Sequence, residues 1–236
     1  MIINHTHRFV FIHIPKAAGT TVTHTLSQLT RYRDHEIGGT RLGDAAEEYF
    51  EKWFGLRKHS RAQTVMDVMG QEEYMRYFRF AFVRNPYTRL ASAYYFIKSW
   101  RELPEHFRGQ LEKIPDFDSF LRSDLWTSSN SERGPDGIFR PQAHWLFSPE
   151  AKSELLVDFI GKTEHLTSDL ATILDRIGAG VVPQNLSRIN PSPPYLLPSE
   201  WEPEIVARVQ SEYRRDFEAF DYPIEPPVSQ EKTGEA

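Results

Sequence analysis

The sequence predicts an α/β fold, a parallel β-sheet flanked by helices, from three observations. Two short apolar runs rich in β-branched and aromatic residues stand at Phe9–Ile14 and Phe78–Val83. Each is too short for a globular helix and reads as a strand buried on both faces. Both runs stop at turn-forming residues, Pro15 and Asn85-Pro86, and pass into segments with helical spacing. Strands that alternate with helices require crossover connections, which is the pattern of a parallel sheet.

Taken in order, the first helix is opened by the paired threonines Thr20 and Thr21, which follow Gly19. The stretch 43–55 is helical, with Ala46, Tyr49, Phe50, Trp53 and Phe54 at helical spacing. A further helix spans 59–70, with Ser60 as its cap and Gly70 as its end. After the strand at Phe78–Val83, Asn85 caps the next helix and Pro86 suits its first turn. Residues 101–140 read as polar and irregular, with one short helix over 116–123 and a loop over 127–137 that has the composition of a mobile flap. A third strand is expected at Leu155–Ile160, and Leu166, Leu170, Ile173, Leu174 and Ile177 mark one face of the helix that follows.

Five prolines within 181–198 predict an extended surface loop. Ser199 with Glu202 forms a capping box, and Ile205, Val206, Val209, Tyr213 and Phe217 trace the buried face of a last helix. The expected organisation is one domain over 1–223 and a disordered tail over 224–236.

Composition narrows the chemistry. The chain has 39% hydrophobic, 26% charged and 13% aromatic residues, which is globular composition. Its net charge of −5 gives no general attraction to nucleic acid or anionic lipid, so an anion site must be a local concentration of basic groups. With no cysteine, disulfides, thiolate catalysis and cysteine zinc sites are excluded. No HExxH, EF-hand or comparable metal spacing is present. Neither a signal peptide nor a segment long enough to span a bilayer is apparent, and a soluble cytoplasmic protein is expected.

Two motifs carry the chemistry. In Pro15-Lys16-Ala17-Ala18-Gly19-Thr20-Thr21, the amides of Ala17 to Thr21 can nest a phosphate at a helix N-terminus, while Lys16 adds a positive charge and the threonine hydroxyls donate. The order differs from the Gly-Lys-Thr of a Walker A loop. In the second motif Arg84 stands where an apolar strand ends, suited to a bidentate phosphate contact, and Ser92 lies about two helical turns further on. Arg89 either reinforces that site or is solvated, and for this residue alone the solvated reading is preferred.

"IPKAAGTT" followed by "FAFVRNPYTRLASAYY" resembles the pair of cofactor motifs in sulfotransferases that use 3′-phosphoadenosine 5′-phosphosulfate (PAPS). The nearer similarity is to the carbohydrate branch, with the heparan 2-O- and the chondroitin or dermatan 4-O-sulfotransferases. Weaker similarities run through "RPQAHWLF", "FIGKTEHLTSDL", "VPQNLSR" and "YRRDFEAFDYP", so the likeness covers most of 8–223. It implies a P-loop-NTPase-like sheet, a loop 15–21 that grips the 5′-phosphosulfate with Lys16 near the transferred group, and Arg84 and Ser92 on the 3′-phosphate. It also implies His59 as the base, because a histidine precedes the second motif in the heparan 2-O-sulfotransferases.

Among rival histidines, His13 reads as core, His24 faces either way, and His144 either contacts substrate or packs in an aromatic cluster. Gln142 and Trp145, with His144, are candidates to line an acceptor cleft. Asn185 and Ser187 belong either to a nucleotide lid or to local turns, and Glu164 and Asp169 either orient cofactor or simply favour a helix N-terminus.

The expected reaction is in-line sulfuryl transfer from PAPS to a hydroxyl acceptor, a carbohydrate or glycoconjugate, leaving adenosine 3′,5′-bisphosphate and requiring no metal. A nucleotide-dependent kinase and a non-catalytic glycan- or nucleotide-binding module are the alternatives.

Overall fold

A computed structural model describes residues 1–130, 132–151, 153–179 and 201–227. The expected loop at 181–198 with Asn185 and Ser187, the cap residue Ser199, and the tail from 228 onward lie outside these residues. The first elements are β1 (Ile2–Asn4), β2 (Phe9–Ile12), α1 (Gly19–Ser27), β3 (His35–Glu36), α2 (Arg41–Phe54), α3 (Ala62–Met69) and α4 (Gln71–Tyr74). There follow β4 (Phe78–Val83), α5 (Pro86–Ser99), α6 (Glu105–Leu111), α7 (Phe117–Arg122) and α8 (Ala143–Leu146). The last are β5 (Phe159–Lys162), α9 (Leu166–Arg176), α10 (Pro203–Glu212) and α11 (Arg214–Ala219). They fall into two compact units, Met1–Arg84 with Gln142–Pro191, and Asn85–Pro141 with Ser192–Ala236.

The first unit holds a five-stranded sheet in the order β3-β1-β2-β4-β5. β2, β4 and β5 are parallel, Phe11 opposite Phe80 and Phe82 opposite Gly161. β1 runs antiparallel to both β2 and β3, so the sheet is mixed at one side and parallel in its core. Strands of three and two residues, such as β1 and β3, are too short to give a periodic signal.

Because side chains alternate along a strand, Phe9 and Phe11 share one face with Phe80 and Phe82. That face is closed by Val22 and Leu26 of α1 and by Leu170, Ile173 and Leu174 of α9. Each such side chain, fully buried, stabilises the unit by about 1.5–3 kcal/mol.

Several expected boundaries shift. Thr40 caps α2, its hydroxyl accepting the Gly43 N–H at 2.9 Å. The helix forms as its spacing predicts, yet Tyr49, Trp53 and Phe54 are exposed. Ser60 does not cap α3, which follows Arg61; its hydroxyl instead accepts the Arg57 N–H at 2.8 Å and closes the turn that holds His59. The third parallel strand begins at Phe159, because Leu155 is drawn into a separate bridge with Phe147.

The turn between β1 and β2 is held by Asp34. Its carboxylate accepts from the backbone N–H groups of His5 (2.7 Å), Thr6 (2.9 Å) and Arg31 (2.8 Å), from the Thr6 hydroxyl and from the Asn4 amide. Partial burial pushes the carboxyl pKa up, but these donors outweigh it and hold the group below the ordinary value of 3.8. A depressed folded-state pKa stabilises above the unfolded value and is lost as pH falls through the folded one. Urea titrations of the native chain between pH 5 and 2 are expected to show a loss of stability that is smaller in Asp34→Asn; an identical acid profile in the variant would remove Asp34 from this role.

The second unit is helical. Asn85 caps α5 through a bond from the Tyr87 N–H (3.0 Å), with Pro86 at the first position. Tyr94 of α5 packs on Phe117 and Phe120 of α7, which is itself capped by Asp116. α6, within the stretch read as irregular, places Phe107 and Leu111 inside. Within 127–137, Ser128 bonds Glu212 through both its N–H and hydroxyl, and Arg133 pairs with the same carboxylate at 3.0 Å. The last expected helix is broken into α10 and α11 at Tyr213, and it starts at Pro203 after Glu202; the expected capping box involves Ser199, outside the described residues.

Arg89 is neither solvated nor on the surface. It is 2% exposed, and its guanidinium donates to the carbonyls of Arg140 and Ile138, both at 3.0 Å. Burial lowers its pKa, while the nearby Tyr213 and Asp216 oppose that shift.

Candidate active site

The loop that leaves β2 is built from backbone handedness. Lys16 and Ala18 both adopt left-handed conformations, φ 65° and 58°, and Ala17 between them does not. Alternation of this kind turns successive N–H groups to one side, the backbone conformation of a nest. Ala18 is the residue before α1 and has no side chain that can cap the helix, and no acidic residue stands in the first turn. The positive end of the helix dipole therefore adds to the nest. Lys16, Ala17, Ala18, Gly19, Thr20 and Thr21, the residues expected to grip an anion, thus follow one another from the loop after β2 into the first turn of α1.

Beneath it lies His13, 3% exposed. A Cβ at Gly19 would fall within 2.8 Å of three atoms of the His13 ring, so glycine is required where the helix starts. Burial, and after it unfavourable coulombic interactions with the N-terminal amine, His59, Lys58 and Lys16, holds His13 well below the usual imidazole pKa. His13 is accordingly a neutral ring that supports the loop, as its core reading predicts.

His59 stands against the same residue. The two rings meet edge to face at 4.7 Å, and His59 Nδ1 lies 2.7 Å from the His13 carbonyl oxygen. A carbonyl only accepts, so Nδ1 carries the proton and the lone pair of the neutral ring is on Nε2. His59 is half-buried. That is the tautomer and exposure a general base needs.

α8 fixes the segment from the other direction. The Trp145 indole N–H donates to the His59 carbonyl at 2.9 Å, and Arg61 donates to the carbonyls of His144 (2.8 Å) and Phe147 (3.3 Å). Gln142 is fully buried, its amide accepting the Arg84 N–H and donating to the Arg84 carbonyl, both at 2.8 Å. Of the three residues expected at an acceptor cleft, Gln142 and Trp145 direct these polar groups at the protein's own backbone, and His144 is half-buried with its ring against Trp145.

Arg84 follows β4 directly and is half-buried. Ser92 lies in the second unit on α5, 2% exposed. Asp169 accepts the Lys162 N–H at 2.7 Å and so closes the turn after β5. His24 is half-buried on α1. The links from Gln142 to Arg84 and from Trp145 to His59 bridge 58 and 86 positions of sequence, and no local pattern announces them. Among the described residues, no group of three or more His, Cys, Asp and Glu side chains is placed to hold a metal, and no helix is long and apolar enough to cross a membrane.

A mixed sheet that is parallel in its core, with a left-handed loop leading from β2 into α1, has the architecture of a P-loop-like fold. The sulfotransferase family model matches residues 1–223, and the chain belongs to that family. Comparison with curated proteins and with solved structures gives no match. The family consists of enzymes that transfer sulfuryl groups and in general use PAPS, which sets the kinase reading aside.

Proposed function

We propose that the protein transfers the sulfuryl group of PAPS to a hydroxyl of a carbohydrate or glycoconjugate, with His59 as the base. The observation that carries this is the left-handed loop at the uncapped start of α1, adjoining a histidine whose tautomer is set by the His13 carbonyl. The residues fit a phosphosulfate: the cradle offers backbone donors, a lysine and two threonine hydroxyls, with no acid in the helix's first turn. PAPS would supply an already activated sulfuryl group, with adenosine 3′,5′-bisphosphate as the departing product.

The residues divide the work. Nε2 of His59 takes the proton of the acceptor hydroxyl, while Nδ1 stays bonded to His13 and keeps the ring oriented. Lys16 and the nest stabilise negative charge at the loop, where fixed donors need no reorganisation. Arg84, held at the end of β4, binds the 3′-phosphate through its planar fork. The carbohydrate acceptor rests on the likeness of the two motifs to the carbohydrate sulfotransferases.

Calorimetric titration with adenosine 3′,5′-bisphosphate and with AMP tests the donor assignment. Hydrogen bonds to charged groups contribute about 1.5–3 kcal/mol, so Arg84→Ala is expected to weaken the bisphosphate roughly 10- to 100-fold and to leave AMP nearly unchanged. Equal losses for both nucleotides would remove Arg84 from the 3′-phosphate.

A further inference from the structure

We infer that Gln142 is a positioning residue for nucleotide recognition: it fixes the backbone of Arg84 and thereby aims the arginine at the 3′-phosphate. The inference rests on the proposed role of Arg84. Gln142 is 0% exposed, and one side-chain amide serves both the N–H and the carbonyl of the same residue at 2.8 Å. That is the pair of hydrogen bonds a neighbouring strand makes to one residue of an antiparallel ladder.

Position explains why a side chain takes this place. The β2–β4 ladder pairs Ile12 with Ala81, after which β2 leaves the sheet at the phosphate loop. On the β5 side, Val83 is opposite Lys162, and its carbonyl accepts from the Thr163 hydroxyl at 2.9 Å. Arg84 is the next residue, beyond both ladders. The two bonds from Gln142 hold the Arg84 peptide groups at the point where β4 leaves the sheet. A long side chain amplifies a small backbone rotation at its tip, and a guanidinium in a bidentate contact tolerates little misplacement. The amide of Gln142 extends the order of the strand by one residue to the one that carries the charge.

The same geometry gives a chemical signature. Gln142→Met keeps length and apolar bulk but removes both bonds. Gln142→Glu retains the acceptor; ionised, it cannot donate to the Arg84 carbonyl, whereas protonated it restores both bonds. The experiment titrates the full chain and the variants Gln142→Met, Gln142→Glu and Arg84→Ala with adenosine 3′,5′-bisphosphate and with AMP across pH 5–8, expressing each preference relative to the unmodified chain.

Gln142→Met is expected to lower the preference for the bisphosphate about 10-fold, in line with a lost charged contact, with AMP affinity held. Gln142→Glu is expected to lose preference at pH 8 and regain it as the pH falls, a dependence that general loosening of the fold would not produce. If Gln142→Met does not fold, the pH dependence of Gln142→Glu carries the test. Retained preference in the Gln142 variants, or equal loss for both nucleotides, overturns the inference while leaving Arg84 in place. Unchanged preference in Arg84→Ala overturns the reading of Arg84 beneath it.

Discussion

His59→Ala is expected to lower turnover by roughly 10²- to 10⁴-fold, the usual contribution of a positioned general base, with nucleotide affinity nearly unchanged. The separation follows from which atoms the substitution removes. Trp145 bonds the backbone carbonyl of residue 59, and that bond survives when the ring is lost. The imidazole Nδ1 bonds the His13 carbonyl, and the left-handed turn at Lys16 and Ala18 is made of backbone. Single-turnover measurement of transfer, alongside titration with adenosine 3′,5′-bisphosphate, checks both halves. Near-normal transfer would take His59 out of the mechanism, and a matching fall in nucleotide affinity would make it a binding residue.

Gly19→Ala is expected to damage the fold and the cradle together. The added methyl would overlap the ring of His13, which has Phe11 stacked at 5.7 Å and His59 edge-on at 4.7 Å. A ring so enclosed has little room to retreat, so the start of α1 must move instead. Overpacking of this sort costs about 1–3 kcal/mol, and the shift also disperses the amides that would hold an anion. Thermal melting and bisphosphate titration should both report a loss. In the double variant His13→Ala/Gly19→Ala the clash is gone and the melting temperature should partly recover. A Gly19→Ala protein that binds and melts like the parent would show that the loop does not depend on this contact.

What could be read from the sequence follows the range of the forces involved. Phe78–Val83, Asn85 with Pro86, and the stripe of Leu170, Ile173 and Leu174 are local patterns, and each stands where the periodicity places it. The motif residues Lys16 to Thr21 announce themselves through an abrupt change from apolar strand to small residues. Elements stabilised from afar are less legible. β1 exists because β2 and β3 pair with it, and β5 is displaced because Leu155 has a partner in Phe147. Arg89 shows the opposite failure: a charged residue on a helix suggests solvent, but carbonyls from 49 and 51 residues away receive it. Aromatic spacing on α2 identifies a helix correctly while saying nothing about whether a partner covers Tyr49 and Trp53.

The handedness of the loop has a consequence for engineering the protein. Left-handed backbone costs a non-glycine residue about 1–2 kcal/mol, and the chain adopts it at both Lys16 and Ala18. These are positions where optimisation for heat resistance would choose glycine, most readily in place of Ala18, whose side chain does nothing for the helix it precedes. Glycine, however, also opens the rest of conformational space to the free loop. The strain and the proposed readiness to receive an anion are therefore the same property, and selection for stability alone would tend to dissolve both.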